Sequence, residues 1–320
     1  MIQRRDREKP ISTELGTQPA HSPPKTVHEI QALLRDGLHY QDRIEERFGT
    51  LEASIDRLLS SKMEEEEAVQ DHKRREVLRT RLSVASGEAG LHEGPAYVLW
   101  ASPITRTNLP TLFADEKDPV VRLLADPPEL RRSGFDPHTG ERPRIVRGMK
   151  RQATNKGYKV LELWPDATLI FCATGGSDFL AWGRYYKEGF PLRINQLVLI
   201  ESTYLFLKLV QQIYQYATPS PSRIEFGLEL RQMTVAGKNC ILHPGPLADF
   251  DFGIGAQKAP EAGNTFQLEW EGAVLQPEIV AFQLVKQVYE WFEFPNTAIP
   301  YTSLFGDHWG IDPDQIRKIF

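Results

Sequence analysis

Cysteine is nearly absent. Cys172 and Cys240 are the only thiols in 320 residues. Two thiols exclude a disulfide framework and a cysteine-built zinc site, so a reducing, cytoplasmic setting is expected. Long hydrophobic runs are missing as well. The most apolar stretch, Leu197 to Val210, is interrupted by Glu201 and Lys208 and is too short to cross a bilayer. Charged residues without an apolar segment follow Met1, so no secretory signal and no membrane contact are expected. The chain also lacks a glycine-rich phosphate loop ending in Lys-Ser or Lys-Thr, a His-Glu-x-x-His and a Gly-x-Ser-x-Gly. These gaps leave no recognisable catalytic residue and no expected cofactor. A strong positive balance is absent too. The net charge is −5, so any polyanion contact has to come from a local patch.

What is present divides into three parts. Residues 1–26 hold Pro10, Pro19, Pro23 and Pro24 with few large apolar side chains, the composition of a disordered tail. Residues 27–86 read as helix. Thr26 and Glu29 have the spacing of a capping box. Ile44, Phe48, Leu51, Ile55 and Leu58 recur at alternating steps of four and three, an a/d seam of about two heptads. The seam fits a short coiled coil used for self-association. It also fits a helix lying on its own domain. Gly37 and Gly49 weaken the helix, and the charges of the following segment nearly cancel along a solvated face.

Residues 95–320 form the expected core domain. "AYVLWASPI" is a strand candidate. "KVLELWPDATLIFCATGGSDFLAW" reads as an antiparallel meander of three strands, the third over Phe179 to Trp182. Asn195 caps a helix from about Gln196 to Tyr216 that is apolar nearly all round, and so is buried. Alternating Ile224, Phe226, Leu228 and Leu230 mark a half-buried strand, and Phe266, Leu268 and Trp270 mark another. Pro277 opens an amphipathic helix, and Asp312-Pro313 opens a short last one. Strands grouped in a meander, with helices between the later ones, give an α+β class: an antiparallel meander on long buried helices, behind an N-terminal helical segment.

The most charged stretch is "RRSGFDPHTGERPRIVRGMKRQATNKGYK". From Arg131 to Lys159 nine cations face two acids, a local balance of +7. Arg142, Arg144, Arg147, Lys150, Arg151, Lys156 and Lys159 form the candidate nucleic-acid-binding surface. Arginine forks and mobile lysine charges suit phosphate. Only Phe135 and Tyr158 could stack on bases, so backbone contact rather than sequence readout is implied. The alternative is a charged edge neutralised by acidic residues elsewhere in the fold. Asp249 and Asp251, with His243 or Glu201, offer a third possibility, a metal-dependent hydrolase. No metal site stands out beyond that pair of aspartates.

The segments "GPAYVLWASPI", "RPRIVRGMKRQATNKGYKVLELWPDATLIF" and "PLRINQLVLIESTYLFLKLVQQIYQYATPSPSRIEFGLEL" resemble the C-terminal region of bacterial Schlafen-like (Alba-type) proteins, a family linked to DNA or ATP binding. The likeness covers about half the chain. The Schlafen-like domain itself has no counterpart here, and no family active-site residue maps onto this sequence. The resemblance implies an accessory domain in a nucleic-acid- or defence-related system. The expected function is therefore non-enzymatic binding, of nucleic acid or an acidic partner through the basic stretch, or of a protein through the N-terminal helix.

Overall fold

The structure is a computed structural model that describes residues 26–88, 90, 94–132, 134–155, 159–174, 191–244 and 255–319. The chain divides into two units, the first ending at Val69 and the second running from Gln70 to the C-terminus. The boundary falls inside the first helix, α1 (Val27–Glu88). The capping box forms as the sequence predicts. The Thr26 backbone N–H donates to Glu29 Oε2 at 3.0 Å, and the Glu29 N–H donates to Thr26 Oγ1 at 3.4 Å.

The second unit is α+β, built on one seven-stranded antiparallel sheet. Its strands are β1 (Ala96–Pro103), β2 (Arg144–Val146), β3 (Lys150–Asn155), β4 (Lys159–Leu163), β5 (Leu169–Thr174), β7 (Arg223–Arg231) and β12 (Gly263–Glu271), in the spatial order β12-β7-β1-β5-β4-β3-β2. The first two strands of the expected meander are present as β4 and β5; its predicted third strand, Phe179 to Trp182, lies outside the described residues, and the strand paired on the other side of β4 is β3. Short pieces complete the β structure. β6 (Arg193–Ile194), β10 (Ile241–Leu242) and β11 (Gln257–Lys258) form one small sheet. β8 (Thr234–Val235) pairs with β9 (Lys238–Asn239), and β13 (Thr302–Phe305) pairs with β14 (His308–Ile311).

Helices cover both faces of the large sheet. On one face lie α3 (Gln196–Tyr214) and α4 (Pro277–Trp291), with Tyr97, Leu99, Phe171, Phe226 and Leu228 beneath them in the main core. Asn195 caps α3 through hydrogen bonds from Leu197 and Val198. Asp118 caps α2 (Pro119–Ala125) and Asp312 caps α5 (Pro313–Arg317), each with proline at the first helical position. On the other face, Leu78, Leu82 and Ala85 from the last turns of α1 pack on Ala96, Val98, Trp100, Val160, Ile170 and Cys172. Coverage on both sides explains why β1 is buried at every residue instead of alternating.

Gly227 shows how tightly this second layer is built. It sits on β7 directly opposite Trp100 on β1. A Cβ at Gly227 would overlap the six-membered ring of Trp100, so the missing side chain makes room for the indole.

Candidate functional site

The basic stretch folds as the β2–β3 hairpin at one edge of the sheet. Arg147 and Gly148 both have positive φ, and the Met149 N–H donates to the Val146 carbonyl at 3.0 Å, which closes the turn. Arg142, Arg144 and Arg147 are exposed. Arg142 makes an open contact of 3.6 Å with Glu116.

Lys150 and Arg151 do not join that surface. Successive strand residues point to opposite faces, and helices or loops cover both faces here. Lys150 is 4 % exposed; its Nζ lies 2.5 Å from Glu162 Oε1 and 3.1 Å from Glu88 Oε2. Arg151, 5 % exposed, donates through its guanidinium to the carbonyls of Leu112 and Ala114. Lys159 is half-buried and its Nζ donates to the Asp136 carbonyl at 3.4 Å. Lys156 lies outside the described residues. The local +7 of the sequence is therefore not a +7 surface.

The Lys150 cluster is an internal clamp. Gln152 Nε2 donates to both Glu88 and Glu162, and Trp164 Nε1 donates to Glu162 at 3.3 Å. Arg81 stacks over the Trp164 ring at 4.2 Å and grips Asp166 at 2.7 Å. Burial raises the pKa of Glu162 against the opposing pull of Lys150. At Glu88 burial also acts to raise the carboxyl, but hydrogen bonds from Lys150 and Gln152 outweigh it and hold the group below its ordinary value. Glu88 stands at the C-terminal end of α1, where the helix dipole disfavours an anion, so the clamp offsets that cost. A lone acid inside the otherwise apolar run of β4 was the sequence signal for it.

Lys159 is expected to destabilise the fold. Burial lowers its pKa from 10.5 to about 8, with Asp136 opposing the shift. At neutral pH both folded and unfolded chains are protonated and the folded state bears the full penalty. The penalty fades as pH rises from about 8 to 10.5, because the folded lysine releases its proton first. Lys159→Met should therefore stabilise the chain by about 1–2 kcal/mol at neutral pH, less than full burial would give because the group keeps some solvent. Urea unfolding across that pH window should show the advantage shrinking.

The other sequence candidates are occupied structurally or lie elsewhere. Asp249 and Asp251 fall outside the described residues. Glu201 is fully buried on α3, and Arg131 holds it through Nη2 at 2.6 Å and Nε at 3.2 Å. Lys208 donates to Gln211 at 2.8 Å. His243 is buried. Burial pushes the Cys172 and Cys240 thiols up to about 12 each, the environment of inert core cysteines. Among the described residues no group of three or more His, Cys, Asp or Glu could hold a metal ion, and no helix is long and apolar enough to cross a membrane.

A cleft of about 480 Å³ lies between the last turns of α1 and β7–β12, over Trp100. Its two carboxylates are already paired. Glu225 meets Arg74 at 2.6 Å, and Glu229 meets Arg231 at 2.6 Å.

The first unit exposes a run of large apolar side chains. Residues 27–69 of α1 are exposed throughout. They include Ile30, Leu34, Ile44, Phe48, Leu51, Ile55 and Leu58, with Leu51 at 56 % and Leu58 at 71 % exposure. The seam read from the sequence starts at Ile44, after Gly37 and Gln41. The helix runs unbroken through both.

No family model, curated protein or solved structure matches this chain.

Proposed function

We propose that this chain is a protein-docking module that acts through residues 27–69 of α1, with the α+β unit as its folded platform. The observation that carries this reading is the run of large apolar side chains left in water along one helix. Soluble proteins rarely expose a contiguous apolar strip of this length, and such strips mark interaction surfaces. A helix exposed on all sides also has little tertiary packing to hold it, and Gly37 and Gly49 each cost it about 1 kcal/mol relative to alanine. A partner on the apolar face supplies what is missing.

A polyanion contact ranks behind this reading. Of the seven basic residues named from the sequence, only Arg142, Arg144 and Arg147 are exposed among those described. Three phosphate contacts are a small electrostatic term for a molecule of net charge −5. The likeness to Schlafen-like proteins supplies no site residue that would strengthen it.

The test is the double variant Leu51→Asp/Ile55→Asp in the full chain. Sedimentation velocity should show an assembly for the parent that the variant loses, while the thermal melt of the α+β unit stays unchanged. An assembly that survives both substitutions would remove the helix from the docking surface.

A further inference from the structure

We infer that the occupant of the helix is a second copy of this chain, joined in a parallel, in-register, two-stranded coiled coil over residues 27–58. This rests on the docking reading above and names its partner. Taking Val27 as an a position, the a series runs Val27, Leu34, Gln41, Phe48, Ile55. The d series runs Ile30, Gly37, Ile44, Leu51, Leu58. Steps of three and four alternate without a break across all ten positions, every one of them inside α1. A strict seven-residue repeat of this length imposes a left-handed supercoil. Lys62 and Glu65 occupy the next a and d positions and end the apolar seam.

The flanking positions choose the partner and its direction. The charged residues of the e row are all acidic: Glu45, Glu52 and Glu66. The g row carries Leu33, Tyr40, Arg47, Ser54 and Ser61, so its single charge is positive. In a parallel pair each g residue meets the e residue five places later on the other chain. Arg47 then meets Glu52, Leu33 meets Leu38, and no like charges face each other. The two-fold axis makes each contact twice. An antiparallel pair sets the acidic e row against itself and leaves Arg47 without Glu52.

Gln41 sets the register. As the one polar residue among the a positions of the seam, it meets its own copy only when the two chains are aligned. Two amides can then exchange a donor and an acceptor, whereas any shifted register buries Gln41 against an apolar side chain. Gly37 is the weak layer. Nothing lies within 4 Å of a Cβ placed there, so a larger residue fits the helix without strain.

The test uses cysteine linkage in the full chain, since both native thiols are buried. Leu51→Cys and Leu34→Cys should each form disulfide-linked dimers on mild oxidation, at twice the 36.5 kDa chain mass. A differently tagged mixture of the two variants should give no Leu34–Leu51 cross-link. Cross-linking only between the two variants would overturn the parallel arrangement. A second variant guards against misfolding: Gly37→Leu should tighten dimerisation more than about tenfold. A parent chain that sediments as a single chain at every concentration, yet binds a different protein that Leu51→Asp/Ile55→Asp releases, would overturn the second copy and leave the docking reading intact. If that variant changes no assembly at all, both fall.

Discussion

Gly227→Ala should destabilise the α+β unit by about 3 kcal/mol or more, measured by chemical unfolding of the full chain. Alanine normally improves on glycine inside a strand, so the sign runs against propensity. It follows from position. β7 is held on one side by β1 and on the other by β12, and Gly227 pairs with Trp100 and Gln267. The indole lies across the Gly227 backbone, and a methyl there would overlap its six-membered ring. Trp100 cannot swing aside, because it is 1 % exposed within the layer formed with Leu78 and Leu82 of α1. Close-packed interiors transmit such an overlap into strand and helix displacement. The same geometry predicts a suppressor. In a Trp100→Leu background the added methyl has space, so the double variant should be less unstable than the sum of the two single changes. A Gly227→Ala chain within about 0.5 kcal/mol of the parent would show that the indole is not seated there.

Arg131→Met should cost about 3–5 kcal/mol, because it leaves a buried carboxylate without its counter-ion. Glu201 has no exposed surface, and Arg131 supplies it with two hydrogen bonds. The third arm of Arg131 donates to the Ile319 carbonyl at 2.9 Å, so one side chain ties α3, its own loop and the C-terminal segment together. A Cβ on the nearby Gly134 would stand 2.5 Å from Glu201 Oε1, which shows how closely the loop is drawn over the acid. Removing both charges, as Arg131→Met/Glu201→Leu, should recover most of the loss, since a packed apolar pair replaces a buried ion pair at little cost. Equal instability of the single and double variants would mean that packing of the loop, not the charge pair, carries the energy.

These two sites illustrate why part of the fold was legible beforehand. Local chemistry marked the element ends: the Thr26–Glu29 box, Asn195 before α3, Pro277 at the start of α4 and Asp312-Pro313 at α5. Period-two patterns marked β7 and β12. What escaped was the identity of the partners that charged side chains find at a distance in sequence. Nine cations in one stretch left open a single basic face or an edge neutralised from elsewhere in the fold; Lys150 turns to Glu88 and Glu162 while the adjacent Arg151 turns to Leu112 and Ala114. Charge counted along a chain is blind to pleating. The seam read from Ile44 onward extends back to Val27 in the same heptad register, with Gly37 at a d and Gln41 at an a position, and α1 runs unbroken through both.

By itself, then, the sequence determined the class of the fold, the starts of α1, α3, α4 and α5, and the absence of recognisable catalytic motifs. Those properties rest on backbone preferences and hydrophobic period, which act between neighbours. Only the tertiary structure decided which charges reach solvent and where α1 changes from an exposed helix to a packed one. Leu78, Leu82 and Ala85 are buried because the sheet packs beneath them. Burial depends on what folds back across the chain, and no local pattern carries that information.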